Sequence, residues 1–215
     1  VIVISEVIKN LIAKKYGRTE HVHLIYNGVP KPDVCDDPEY FEGLGIEKGK
    51  YILGMCRFVP EKNLHHLIEA FVKTNHEDCK LVLAGDTDFE DDYSRRLKKM
   101  AKGNGVGFIK GKKLHSLLSH CRGYCLPSSH EGLPISLLEA MSYGAPVVVS
   151  DIPANLEVGL DKDVYFPVGD VEALREKLQA NMDNPYHREQ YDMAQYDWDI
   201  IAGQVAEVYH QLLEK

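Results

Sequence analysis

A chain of 215 residues, 44% hydrophobic and 27% charged, has the apolar material for a sizeable core and contains no low-complexity tract or fixed-period repeat. Its formal charge of −8 argues against a nucleic-acid partner, while leaving room for a local basic pocket that holds one phosphate group. Five cysteines, odd in number and without a Cys-x-x-Cys pair, point to reduced thiols and a cytoplasmic setting, and no apolar run approaches the length of a membrane span.

Residues 1–5 (Val-Ile-Val-Ile-Ser) read as a strand entered without a preceding loop, as expected of a piece of something longer. Ser5 then caps a helix over 6–16, stopped by Gly17. A short strand follows at 23–26, then the turn Asn27-Gly28-Val29-Pro30. The Pro-, Asp- and Gly-rich segment 31–50 reads as a linker or surface excursion. From Tyr51 the rhythm is regular. Strands at 51–55, 80–85, 106–109, 124–127, 146–150 and 163–166 alternate with helices at 64–73, 93–101, 114–120, 134–144 and 171–182. A last helical region, 198–213, follows the Asn184-Pro185 break. Almost wholly apolar strands alternating with single helices predict an α/β fold, a doubly wound parallel sheet of Rossmann-like type. Such sheets bind ligands beyond the carboxyl ends of their strands, near the switch point in strand order. The loops after Met55, Ala84, Ile109, Leu126 and Ser150 are therefore the ones that matter.

The helix over 134–144 is the most informative stretch. Pro134 suits its first turn, and Gly144 with Pro146 ends it. Ile135, Leu137, Leu138, Ala140 and Met141 spread round most of its circumference, which predicts burial. Ser136, Glu139 and Tyr143 nevertheless form one narrow polar line. A carboxylate there needs a partner, either an internal cation or a hydroxylated ligand. Glu131 lies in the preceding loop beside Gly132, and the loop amides with the helix dipole make a seat for an anion. Arg57 and Lys62, in the loop after the strand 51–55, can bind phosphate oxygens through a planar fork and a mobile point charge. Two carboxylates, an anion seat and two cations suit a diphosphate flanked by sugars.

The segments Arg57-Phe58-Val59-Pro60-Glu61-Lys62-Asn63-Leu64, Leu83-Ala84-Gly85-Asp86, and Leu126-Pro127-Ser128-Ser129-His130-Glu131-Gly132-Leu133-Pro134 with Glu139-Ala140-Met141 resemble the retaining GT-B glycosyltransferases of the glycogen-synthase and sucrose-phosphate-synthase group. Asn27-Gly28-Val29 and Pro167-Val168-Gly169-Asp170 fall where that group has similar segments, so the likeness runs from about residue 2 to 178. It implies the C-terminal, donor-binding half of a GT-B fold: 1–23 ending an N-terminal acceptor domain otherwise missing, 24–198 the nucleotide-sugar-binding domain, 199–215 a C-terminal helix. Asn63 stands where the group commonly has Gly.

Carried over by position, the resemblance implies that Arg57 and Lys62 neutralise the donor diphosphate and that Glu131 meets hydroxyls of the transferred sugar. Glu139 would hold the ribose, and the amides of Gly132, Leu133 and Ile135 would lie near the phosphates. Backbone from Ile109 to Gly111 would frame the base, and His130 would touch the ligand or support the loop. The donor expected is a UDP- or GDP-linked sugar, with no cofactor and no required metal. Membrane contact is expected, if at all, through the missing half. A binding module without transfer activity and a nucleotide-sugar epimerase on the same fold are the alternatives. No Gly-x-Gly-x-x-Gly follows any strand, which disfavours a dinucleotide oxidoreductase, and His65-His66 and His21-x-His23 lack companion metal ligands.

Overall fold

A computed structural model describes residues 1–75, 77–101, 105–107, 109 and 111–213. Eight strands and nine α-helices are assigned among them. The strands are β1 (Ile2–Val3), β2 (His23–Leu24), β3 (Tyr51–Met55), β4 (Lys80–Ala84), β5 (Gly105–Gly107), β6 (Gly123–Leu126), β7 (Val147–Ser150) and β8 (Tyr165–Phe166). The helices are α1 (Glu6–Tyr16), α2 (Pro38–Leu44), α3 (Leu64–Val72), α4 (Asp92–Met100), α5 (Lys112–His120), α6 (Ile135–Ser142), α7 (Pro153–Leu156), α8 (Val171–Asp183) and α9 (Trp198–Leu213).

Six strands form one sheet in the order β5-β4-β3-β6-β7-β8, and every pairing is parallel. Two right-and-left windings start from its centre, so strand order reverses between β3 and β6. The apolar runs explain why both faces are covered. Alternate residues point to opposite faces: Leu53, Val82, Tyr124 and Val149 join α5 and α6 in one core. Ile52, Leu83, Cys125 and Val148 join α3, α4 and α8 in the other. Cys121 and Cys125 are fully buried, as their apolar surroundings predict.

The local chemistry agrees with most of the expected elements. Ser5 accepts from the Ile8 amide at the start of α1, and Gly17 closes that helix at φ 63°. Four expectations need correction. Strands β1 and β2 are shorter than expected and pair only with each other, outside the main sheet. Segment 31–50 is no mere excursion: Asp37 caps α2, Pro38 begins it, Gly45 ends it at φ 61°, and Phe41 is buried. Pro134 is the residue before the first turn of α6, not in it, because its ψ of 73° is not helical. The strand expected at 106–109 is β5, at Gly105–Gly107 on one edge of the sheet; Phe108, which was expected to extend it, lies outside the described residues. Helix α7 has only four residues and was not anticipated. No helix among the described residues is long and apolar enough to cross a membrane.

Candidate functional site

The carboxyl ends of β3, β4 and β5 open into a cavity of about 560 Å³. Its floor and walls come from Met55, Cys56 and Arg57 after β3, and from the segment running from Ala84 to Asp88 after β4. Ile109, Leu114 of α5, and Ser136 and Glu139 of α6 complete it. This is the crevice at which strand order reverses. The two neighbouring loop floors touch: a Cβ on Gly85, whose φ is 145°, would lie 1.9 Å from the Cys56 carbonyl oxygen. Only glycine fits there. The Cys56 amide donates to Ala84 and the Phe58 amide to Asp86, which fixes the direction in which Arg57 leaves the backbone.

The loop between β3 and α3 is stitched to the loop between β6 and α6. The Ser129 amide donates to the Glu61 carbonyl at 2.8 Å, and the Asn63 side chain donates to the Pro127 carbonyl at 3.2 Å. Asn63 can do so because it sits at φ 48°, a backbone state that asparagine tolerates. Lys62 Nζ lies 2.5 Å from Glu131 Oε1, with only 14% and 9% of the two side chains exposed. Ser128 Oγ donates to the same Glu131 oxygen at 2.7 Å. Arg57 is different. Its side chain is 63% exposed, and its guanidinium lies 3.5 Å from Asp88 Oδ2 across the cavity mouth.

The polar line on α6 resolves into three separate fates. The Ser136 hydroxyl is hydrogen-bonded to the Tyr124 hydroxyl at 2.8 Å, and the Tyr143 hydroxyl accepts from the Asp33 amide at 3.1 Å. Glu139 between them lines the cavity; its carbonyl accepts from Ser142 and Tyr143, but its carboxylate accepts no hydrogen bond from the described residues. Burial pushes its carboxyl above the ordinary range, and nearby His115 only partly offsets this.

The structure thus brings Arg57, Ile109 and Glu139 together around one cavity, with the Lys62–Glu131 pair held at the adjoining loop junction. Gly132 and Leu133 lie in that loop, and Gly111 precedes α5 at φ 63°; none of them lines the cavity. Lys110, within the segment expected to frame a base, lies outside the described residues. His130 is exposed. The Ile135 amide is not free for an anion. It closes a tight turn onto the Leu133 carbonyl at 2.9 Å, forced by the backbone of Pro134 (φ −80°, ψ 73°). Asp88 is 73% exposed and faces Arg57 at the cavity mouth, while Asp91 caps α4. Gly85 and Asp86 were visible as a motif without a role, and here they form the wall.

The family model of glycosyl transferases group 1 matches residues 36–198, most of the chain. The chain belongs to that family. Among curated relatives it is 27% identical over 211 residues to the O-antigen chain mannosyltransferase RfbU of Salmonella typhimurium, covering 95% of this chain and 58% of that one. It is 31% identical over 173 residues to the phosphatidyl-myo-inositol mannosyltransferase of Mycobacterium leprae, covering 75% and 46%. The chain therefore spans about half the length of these family members. Among solved structures, the sucrose-phosphate synthase of Thermosynechococcus elongatus superposes with a TM-score of 0.81 at 21% identity, covering all of this chain and 58% of that one. Anabaena HepE, solved in complex with UDP-glucose, superposes at 0.78 with 20% identity, covering 98% and 63%. At those identities the likeness establishes the fold: one Rossmann-like half of a GT-B architecture.

Proposed function

We propose that this chain is the donor-binding half of a retaining glycosyltransferase that uses a nucleoside-diphosphate sugar. The observation that carries the reading is Glu139: a half-buried carboxylate, without a hydrogen-bond partner among the described residues, facing a cavity whose opposite rim bears Arg57. A buried carboxylate is costly unless hydroxyls satisfy it, and the vicinal hydroxyls of a ribose do so. Arg57 and Lys62 then meet the diphosphate, with the amides of Gly132 and Leu133, which have no hydrogen-bond acceptor among the described residues, adding donors, and Glu131 meets hydroxyls of the transferred sugar. Residues 24–198 form the donor-binding unit in this reading, 1–23 the end of an acceptor half and 199–215 a closing helix. The mannosyltransferase names of its relatives and the UDP-glucose bound to HepE support a nucleotide-sugar donor.

The chemistry follows from where charge develops. Cleaving the bond between anomeric carbon and phosphate leaves a nucleoside diphosphate with growing negative charge. Cations fixed at that position stabilise the transition state more than the ground state. On the same face, the departing phosphate accepts the proton of the incoming hydroxyl, so the anomeric configuration is kept. Lys62 is suited to this because Glu131, itself held by Ser128, already fixes its ammonium geometry. We infer that these two side chains make a divalent ion unnecessary for donor binding.

Calorimetry tests the reading. UDP or GDP should bind with an affinity that falls at least about tenfold in Glu139→Ala, and uridine or guanosine should bind more weakly than the diphosphate. Equal affinity for diphosphate and nucleoside, or an unchanged Glu139→Ala variant, refutes it. Chelator should leave the affinity unchanged.

A further inference from the structure

Below the Lys62–Glu131 pair runs a chain of buried polar groups for which the donor reading has no use. Ser128, Ser150 and Asn155 are each 0% exposed, an unusual state for such side chains. The Asn155 amide nitrogen donates both to the Ser150 carbonyl (2.9 Å) and to the Ser150 hydroxyl oxygen (3.1 Å). With its oxygen accepting from Asn155, the Ser150 hydroxyl donates its own hydrogen to the Ser128 carbonyl at 2.5 Å. The Ser128 hydroxyl in turn donates to Glu131 Oε1. At the far end, the Tyr165 hydroxyl donates to the Asn155 carbonyl at 3.0 Å and accepts from the Leu160 amide at 3.2 Å. Every hydroxyl direction is dictated, because an amide N–H only donates and a carbonyl or carboxylate only accepts.

The consequence lies at Glu131. Its Oε1 takes both the Lys62 ammonium and the Ser128 hydroxyl. Those two contacts fix the plane of the carboxylate and leave the other oxygen as the one available to a ligand. The geometry points to Ser128, backed by Ser150 and Asn155, as the positioning device that aims the free oxygen of Glu131 at the sugar of the donor. Ser128 itself is too deeply buried to touch a substrate, so it acts through Glu131 alone. Ser150 ends β7 and Asn155 lies in α7, so the aim of a loop residue is set from a rigid strand and the helix after it.

The inference rests on the reading of Glu131 as a sugar contact, and the experiment separates the two. The quantity to measure is the sugar increment: the affinity for UDP-glucose over UDP, or GDP-mannose over GDP, by calorimetry on the whole chain. Ser128→Ala should reduce that ratio by about fivefold or more while UDP or GDP affinity changes less than twofold. Ser128→Thr, which keeps the hydroxyl, should restore it, and Ser150→Ala should reproduce part of the loss without touching Glu131. A purely structural role would lower all affinities and the melting temperature together and leave the ratio intact; that outcome overturns the inference. Should Ser128→Ala fail to fold, an unchanged ratio in Ser150→Ala overturns it equally. If Glu131→Gln leaves the ratio unchanged, or neither diphosphate binds the unaltered chain, the donor reading itself fails and takes the inference with it. If Glu131→Gln lowers the ratio but Ser128→Ala does not, only the positioning role fails.

Discussion

Single side chains here divide into those satisfied by the fold and those left for a ligand. Lys62 and Glu131 are satisfied by each other with little exposure, so removing one strands the other. Lys62→Met should lower unfolding stability in urea by about 3 kcal/mol, with part of the loss recovered when Glu131→Gln is added. Glu139 behaves in the opposite way. Its folded carboxyl is raised by burial, so the folded protein holds that proton more tightly than the unfolded chain does. Its contribution to stability is full below the unfolded value and is lost as pH rises through the folded one. Glu139→Gln should therefore flatten the stability profile just above the ordinary glutamate range and leave the protein no less stable at neutral pH, while diphosphate binding weakens. A variant that loses stability at neutral pH would show Glu139 to be a structural group. The residue types of this site were legible because each stands in an unusual context: a carboxylate on an apolar helix, a cation pair after an apolar strand. Their pairing was not legible, since no spacing shows that Arg57 meets Asp88 or that Pro134 turns the Ile135 amide onto Leu133.

At the level of elements, the strands and long helices could be read from period and punctuation, and the structure departs from them mainly at their ends. Helix α2 shows why 31–50 was harder. Its seven residues have one buried apolar anchor, Phe41, too few for periodicity, although its start and stop signals, Asp37-Pro38 and Gly45, are ordinary. Strand β1 was overextended because an apolar run looks the same whether its neighbour is one strand or a sheet. The contact between Gly85 and Cys56 lies between two elements and has no sequence signature beyond the glycine. Gly85→Ala should cost more than about 3 kcal/mol in urea unfolding, since the obstacle is backbone and cannot move aside. Gly17→Ala, also at positive φ but with open space around it, should cost only about 1 kcal/mol. Equal losses at the two positions would mean that the loop floors do not meet as described.

Across the whole molecule, the segment between α8 and α9 ties the two ends of the fold together. The Tyr196 carbonyl accepts from Val29, the Glu189 amide donates to Gly144, and Arg188 caps the carbonyl end of α5 through Leu118. Tyr196 is buried, whereas α9 buries only Ile201 and leaves Trp198, Tyr209 and Leu212 exposed. A chain ended after Asp197 should still melt cooperatively, and one ended after Asn184 should not, by circular dichroism. The doubly wound architecture was legible from alternation alone; this tie was not, because it consists of single contacts from an irregular segment. The stitching of the two loops at the centre of the sheet has a kinetic corollary. A receptacle already assembled when its guest arrives has little left to order, so arrival rates should be nearly alike for different nucleotides. Discrimination should then be read in residence times, which stopped-flow dissociation of UDP and GDP would reveal.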